Sequence, residues 1–235
     1  MFGAFRLFLL AAGSCIIVLA ACQNRQKQRT IDHSSSGLYL DYRIWGEDGG
    51  AVTCMLQFRA GNADGPTLLL KDPAQVQIDS AVLAPDSTQY QGIYYELVSD
   101  PETFTGRHQI VFVDSAGNHA TQEFSFAPLS LAEEPADSAA FQPFTIYLTD
   151  TTSLDPVQLV LTDTSFTSRD VNLEVIPSHG TIQVTREMLS NLVPGPINLE
   201  LSTEKKTYMP HGSLTINYRL TRSFILSGPR TFHLN

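Results

Sequence analysis

Residues 38–58 read LYLDYRIWGEDGGAVTCMLQF and contain two runs in which apolar and polar residues alternate. The apolar positions of the first run are Leu38, Leu40, Tyr42 and Ile44, and those of the second are Val52, Cys54, Leu56 and Phe58. A period of two is typical of a β-strand with one buried face. The turn-forming residues 47–50 separate the runs, so the stretch predicts a β-hairpin.

The chain repeats this pattern in shorter segments as far as residue 126. Further strands are predicted at 67–70, 76–78, 91–98, 108–113 and 120–126, with Pro, Asp, Gly and Asn at the turns between them. About seven short strands, with a turn signal roughly every ten residues, are typical of a β-sandwich. The segment RHQIVFVDSAGN, residues 107–118, resembles the closing hairpin of bacterial immunoglobulin-like domains.

A second series of strands begins after residue 143. Alternation predicts strands near 144–148, 157–161, 171–175, 182–184, 197–201 and 214–220. One short helix is predicted at 185–192, where Thr185 can cap the first turn and residues 193–196, Val-Pro-Gly-Pro, end it.

The segment before the first hairpin has the features of an export signal. Residues 1–6 include one basic side chain, and the apolar run at 7–21 is shorter than the ~20 residues of a membrane-spanning helix. Leu19-Ala20-Ala21-Cys22 resembles the lipobox of bacterial lipoproteins, in which diacylglycerol is attached to the cysteine and the chain is cut before it. The resemblance implies that Cys22 carries diacylglycerol and an acyl chain. An ordinary cleavage site beside an incidental cysteine is the alternative.

These features divide the chain into a signal peptide (1–21), a lipidated flexible tether (22–37), a first β-sandwich (38–128), a linker (129–143) and a second β-sandwich (144–235). The helix, the Pro-Gly turn and the two strands that close with Asn217-Tyr218-Arg219-Leu220 resemble C-terminal domains of lipoproteins from Bacteroidota. The predicted fold class is all-β, with two immunoglobulin-like β-sandwich domains after a cleaved lipoprotein signal peptide.

The charge and the cysteines restrict the possible functions. Twenty-four acidic and fifteen basic residues give a formal net charge of −9, which repels phosphate backbones, so we predict no nucleic-acid partner. Cys22 is predicted to be acylated, and therefore Cys54 has no partner for an internal disulfide in the mature chain. Cys54 shares the predicted buried face of its strand, where it should be an inert small hydrophobe.

The motifs of common enzymes are missing from the sequence. It contains no nucleophile elbow, phosphate-binding glycine loop, zinc-protease motif or Cys-x-x-Cys pair, and we predict no enzyme, no cofactor and no metal site. A hydrolase that uses dispersed carboxylates is the alternative. His108 and His119 flank one predicted hairpin and could converge on a metal, but they lack recognisable ligand spacing, as do His179 and His211.

Aromatic side chains give the one candidate contact surface. Trp45, the sole tryptophan, falls with Tyr39 on the strand face opposite the predicted core. Tyr94 and Tyr95 are consecutive, so one of them should point outward. We predict a contact surface of Tyr39, Trp45 and one of Tyr94 and Tyr95. Packing of these rings against the neighbouring domain or under a loop is the alternative.

The residues after Cys22 indicate a location. Gln23 stands where the inner-membrane retention signal of enterobacterial lipoproteins has Asp, which by resemblance favours the outer membrane. Arg25, Lys27 and Arg29 replace the acidic residues of surface-exposed lipoproteins from Bacteroidota, which favours the periplasmic face. The predicted function is a lipid-anchored, non-catalytic binding, assembly or structural module of the cell envelope, with an envelope protein or polysaccharide as partner. The alternative is a surface carbohydrate-binding lipoprotein.

Overall fold

The computed structural model describes residues 37–149, 155–165 and 169–229. Their regular structure consists of fifteen β-strands and one four-residue helix, which confirms the predicted all-β class. Among these residues, no helix has the length and apolar character that crossing a membrane requires. The predicted signal peptide, Cys22 and the predicted tether up to residue 36 lie outside the described residues.

Eight strands lie in the first half of the chain. They are β1 (Leu38–Glu47), β2 (Val52–Ala60), β3 (Gln75–Ile78), β4 (Ala81–Val82), β5 (Pro85–Thr88), β6 (Gly92–Ser99), β7 (Gly106–Val113) and β8 (His119–Phe126). The predicted hairpin is confirmed, because β1 pairs antiparallel with β2. The strand predicted at 67–70 is wrong. Thr67 forms only an isolated bridge, and the backbone N–H of Leu70 donates to the Tyr95 hydroxyl instead of to a neighbouring strand.

The second half contributes seven strands and the helix. They are β9 (Ser138–Ala140), β10 (Phe144–Tyr147), β11 (Val157–Asp163), β12 (Val171–Val175), β13 (Thr181–Val184), α1 (Arg186–Leu189), β14 (Gly195–Met209) and β15 (Gly212–Ser227). The predicted cap is confirmed, since the Met188 N–H donates to Thr185 Oγ1 at 3.3 Å. Leu189 and Leu192 are fully buried, which fixes the short helix against the core.

One large sheet contains strands from both halves of the chain. Its order is β12-β11-β14-β15-β1-β2-β6-β5, with β9 also paired to β15. The junction is the parallel pair of β1 and β15, whose register runs from Leu40 opposite Gly212 to Glu47 opposite Arg219. The division into domains 38–128 and 144–235 stays a prediction, and the two segments are joined by backbone hydrogen bonds across this junction.

Gly212 permits this junction. A Cβ atom at residue 212 would lie 1.9 Å from the carbonyl oxygen of Leu40, far inside van der Waals contact. The N–H of Leu40 donates to the carbonyl of His211, the residue before Gly212, at 2.7 Å. A side chain at residue 212 would therefore push the end of β15 away from β1.

Smaller sheets cover the core face of the large sheet. The four-stranded sheet β4-β3-β7-β8 packs on the first half, where the rings of Phe58 and Phe112 are 4.8 Å apart. The pair β10-β13 packs on the second half, where Phe144 meets Phe224 at 5.8 Å. These two layers confirm the immunoglobulin-like sandwich class. Phe126 and Tyr218, 6.0 Å apart, connect the apolar cores of the two halves.

The predicted linker 129–143 is partly built into this architecture. Strand β9 lies within it and pairs parallel with the end of β15. Phe141 is 6% exposed and belongs to the core, so an apolar side chain anchors the end of this segment. Its exposed part is the stretch 132–138, in which only Pro135 is half-buried. Even there, Arg222 Nη2 on β15 donates to Glu134 at 2.7 Å.

Candidate functional site

Strand β1 presents a polar face on the side of the sheet away from the core. Tyr42 and Ile44 point into the core, and the alternate residues Asp41, Arg43 and Trp45 therefore lie on the outer face. The register places Ser213, Thr215 and Asn217 of β15 directly beside them. The next strand, β14, adds Lys206 beside Thr215 and Glu204 beside Asn217.

These three strands form the floor of a surface groove of about 470 Å³, which the loop after β2 borders with Ala63 and Asp64. With ~3.3 Å per residue and ~4.8 Å between strands, the floor spans about 13 Å from Asp41 to Trp45 and about 10 Å from β1 to β14. We call this depression the outer-face groove. Its floor combines one tryptophan with charged and hydroxyl-bearing side chains.

An ion network centred on Asp41 orders one end of the outer-face groove. Arg43 donates from Nη2 to Asp41 Oδ2 at 2.8 Å and from Nε to Oδ1 at 3.1 Å. Arg59 Nε donates to Asp41 Oδ2 at 3.2 Å. The side chains of Asp41 and Arg59 are 10% and 18% exposed, whereas that of Arg43 is 52% exposed. The network thus holds a half-exposed guanidinium in one orientation.

Hydrogen bonds continue this network below the surface. Arg59 Nη2 donates to Gln57 Oε1 at 2.6 Å, and Arg59 Nη1 donates to the carbonyl of Gly65 at 3.2 Å. Gln57 Nε2 in turn donates to the carbonyl of Gln91 at 2.7 Å. The bond to Gly65 ties the bordering loop to the sheet, so the groove wall is fixed in the free protein.

Asn217 leaves a polar atom unsatisfied at the other end of the groove. Its Oδ1 atom is buried and accepts no hydrogen bond from any part of the chain that the structure describes. A buried acceptor without a partner costs about 1–3 kcal/mol, so native structures keep few of them. Asn217 lies beside Trp45 across the β1 and β15 pair and lines the groove, with this unpaired acceptor buried next to the aromatic ring.

The residues of the predicted contact surface do not lie together in the structure. Tyr39 and Trp45 both line the outer-face groove, and Trp45 is half-buried. Tyr94 lies on the same sheet face but is 7% exposed, and its hydroxyl donates to Asp86 at 3.2 Å. Tyr95 points to the opposite face and is 2% exposed, packed on Phe58. Neither Tyr94 nor Tyr95 therefore presents the outward ring that alternation alone predicts, although Val98, on the same face of β6 as Tyr94, is exposed.

Four groove residues could not be found by reading the sequence for aromatics. Glu204, Lys206, Thr215 and Asn217 come from strands more than 150 residues beyond β1, and only the parallel pairing places them beside Trp45. Alternation in β15 could have assigned Thr215 and Asn217 to a polar face. No local signal identifies the strand that lies next to them.

The histidines occupy separate places. His108 Nδ1 contacts Asp79 Oδ2 at 2.9 Å, its Nε2 contacts the Phe104 carbonyl at 2.7 Å, and its ring stacks on Phe104 at 3.9 Å. Both ring nitrogens are thus engaged by the chain. His119 and His211 border an apolar depression of about 280 Å³ near Leu38, and His179 lies in a turn. In the described residues, no three His, Cys, Asp or Glu side chains are grouped to hold a metal ion.

Of the three cysteines, only Cys54 is described. It is fully buried with a free thiol, which confirms the predicted strand face. Burial, with a smaller effect of the Asp79 charge, raises the pKa of Cys54 to about 12. The predicted lipid attachment at Cys22 lies outside the described residues and stays a prediction.

No family model and no curated protein sequence matches this chain. Among solved structures, the tandem immunoglobulin domains of DIP-gamma share 10% identity over 78% of this chain and 97% of theirs, with a TM-score of 0.24. The Bacteroides ovatus protein SGBP-B of a mixed-linkage glucan utilization locus shares 14% identity over 73% of this chain, with a TM-score of 0.23. This chain matches 53% of that protein's length.

Proposed function

We propose that this protein is a non-catalytic binding module of the bacterial cell envelope, held at a membrane by lipid on Cys22. Its ligand occupies the outer-face groove. The observation that carries the proposal is the half-buried ring of Trp45 in a groove whose floor the Asp41 network already orders. A fixed polar surface with one aromatic ring is suited to holding a ligand.

The carboxylate at the centre of the network holds the neighbouring arginines. Both oxygens of Asp41 accept hydrogen bonds from arginine, and the side chain is 10% exposed. Asp64 and Glu204 also line the groove, and they are the carboxylates that would act if the groove were the active site of a hydrolase. If the purified protein turns over a glycan or peptide, and Asp64→Asn or Glu204→Gln abolishes this activity, the groove is an active site and the non-catalytic proposal is wrong.

The location proposed for this module follows from the residues after Cys22. Gln23 favours the outer membrane, and the basic residues Arg25, Lys27 and Arg29 favour its periplasmic face, where they can rest on anionic head groups. A ligand of the module would then be a component of the periplasmic space or of the inner surface of the membrane. Protease treatment of intact cells tests this, since a periplasmic protein is protected until the outer membrane is opened.

Trp45 makes the binding proposal directly measurable. As the sole tryptophan, it reports on the groove alone. We expect the emission of the detergent-purified lipoprotein to shift when a bound envelope component enters the groove. The paired change Tyr39→Ala/Trp45→Ala removes this reporter, so calorimetry measures the binding of that variant, which should weaken at least about tenfold. Tyr90→Ala is the matched control, because Tyr90 is 95% exposed and does not line the groove. Unchanged binding by the double variant would refute the assignment of the groove.

A further inference from the structure

We propose that the ligand of the outer-face groove is a neutral saccharide chain. This inference rests on the proposed function and names the chemistry of its ligand. The first argument is the pairing of Trp45 with Asn217. A sugar ring has an apolar C–H face that can stack on an indole and hydroxyl groups around its edge that can donate hydrogen bonds. A ring stacked on Trp45 would place its hydroxyl edge beside Asn217, the neighbouring groove residue on β15.

The rest of the floor matches the remaining hydroxyl groups. Arg43 is a fixed donor because its Nε and Nη2 groups bind Asp41, and the side chain is still 52% exposed. Thr215 lies beside it and Lys206 beside Thr215, so donors and a hydroxyl follow one another across the floor. A polyhydroxylated chain can both donate to and accept from such a surface. The floor of about 13 Å by 10 Å has room for more than one sugar ring.

The topology disfavours an extended peptide. Peptides that bind sheets usually add a strand to an exposed edge, where backbone N–H and C=O groups are free. On the groove floor, β1 lies between β15 and β2, and β15 lies between β14 and β1, whereas β14 pairs with β11 only as far as Thr203. A ligand over Trp45 therefore binds side chains, because the one floor edge without a strand partner in the described residues is the end of β14, two strands away.

The charges of the groove disfavour an acidic polysaccharide. Asp41, Asp64 and Glu204 contribute three carboxylates to the lining, and the cations beside them are Arg43 and Lys206 in the lining and Arg59, which binds Asp41. The whole chain also carries a formal net charge of −9. A uronate or sulfate group would meet no excess of positive charge, and a neutral chain incurs no such repulsion.

The test is affinity electrophoresis and calorimetry of the detergent-purified lipoprotein against soluble polysaccharides. The neutral probes are β-glucan, amylopectin, xylan and galactomannan, and the acidic probes are polygalacturonate and alginate. We expect binding to at least one neutral probe and to neither acidic probe. Trp45→Ala and Asn217→Ala should each weaken that binding about tenfold or more, while the melting temperature of the Asn217 variant does not fall.

Asn198→Ala is the matched control for Asn217. Asn198 lies on the same outer face, six residues and about 20 Å along β14 from Glu204, and its Oδ1 accepts a hydrogen bond from Ser223 at 3.3 Å. Its replacement should leave saccharide binding unchanged and slightly lower the melting temperature. Loss of binding in both variants would mean that the effect is not local to the groove, and the saccharide assignment would fall.

Three further outcomes separate the two proposals. Binding to acidic probes alone, or to no probe, overturns the neutral-saccharide inference. If an envelope protein binds and Trp45→Ala abolishes that binding, the groove keeps its function and the saccharide inference is wrong. If a neutral polysaccharide binds equally well to the parent, Trp45→Ala and Asn217→Ala, the groove is not the site and both proposals fail.

Discussion

Replacing Asp41 by Ala should lower the stability of the fold by about 2–3 kcal/mol. The carboxylate is 10% exposed and is the counter-ion of Arg59, which is 18% exposed. Removing one partner of a buried ion pair costs about 3–5 kcal/mol, because the remaining charge stays buried. Arg59 retains Gln57 Oε1 and the Gly65 carbonyl as neutral acceptors, and we therefore expect the lower part of this range or slightly less.

Arg43→Ala is the control within the same network. Its side chain is 52% exposed, and exposed ion pairs contribute about 1 kcal/mol or less, so this variant should lose far less stability. The double variant Asp41→Leu/Arg59→Met removes both buried charges. It should recover most of the stability lost in Asp41→Ala, since apolar replacements of a buried pair are often neutral.

Urea unfolding followed by circular dichroism measures all four proteins. Equal slopes and shifted midpoints would report changes in stability alone. A loss below about 0.5 kcal/mol for Asp41→Ala would refute the reasoning, because it would show that Arg59 is solvated in the absence of Asp41. A double variant no more stable than Asp41→Ala would show that the network stabilises the fold through geometry rather than through charge.

Three other predictions concern the anchor, the core and the linker. Cys22→Ala should abolish incorporation of labelled fatty acid and leave uncleaved precursor or a soluble product; a labelled variant that partitions into detergent like the parent would contradict the anchor. The thiol of Cys54, buried and with a pKa of about 12, should react with a thiol reagent at pH 8 only as fast as the protein unfolds. Rapid labelling of the native protein at this residue would contradict its burial. Limited proteolysis should cut first within 132–138, the exposed part of the predicted linker. The two fragments should co-elute until they are denatured, because β1 and β15 stay paired. Fragments that separate under native conditions would show that this pairing is weak.

Local features of the fold were predictable from the sequence. The faces of β1 and β2 follow from a period of two, which depends only on neighbouring residues, and the buried Cys54 confirms the register. The same reasoning placed Met55 and Gln57 on an exposed face, and there it is wrong, since they are 5% and 2% exposed. The Gln57 side chain is enclosed by hydrogen bonds with Arg59 and with the carbonyls of Gln91 and Ile93. Met55 lies between the long side chains of Arg43 on β1 and Glu96 on β6.

The junction between the two halves could not be predicted. It joins residues 40–47 to residues 212–219, and a pairing over such a distance along the chain leaves no periodic signal in either segment. Pairing also determines which polar residues become neighbours. Alternation in β1 therefore indicates Tyr39 and Trp45 as candidates, but nothing local in either strand places Asn217 beside them.

The outer-face groove depends on this junction, which ties its function to the integrity of the whole fold. Trp45 and Arg43 belong to β1, whereas Asn217 and Lys206 belong to β15 and β14, so neither half of the chain contains the groove alone. The close approach of β15 to Leu40 requires a residue without a side chain at 212. Gly212→Val should therefore displace the start of β15 from β1 and weaken ligand binding, even though residue 212 does not line the groove. If binding in the groove needs only the residues of β1, the same substitution will lower stability and leave the affinity of the folded protein unchanged.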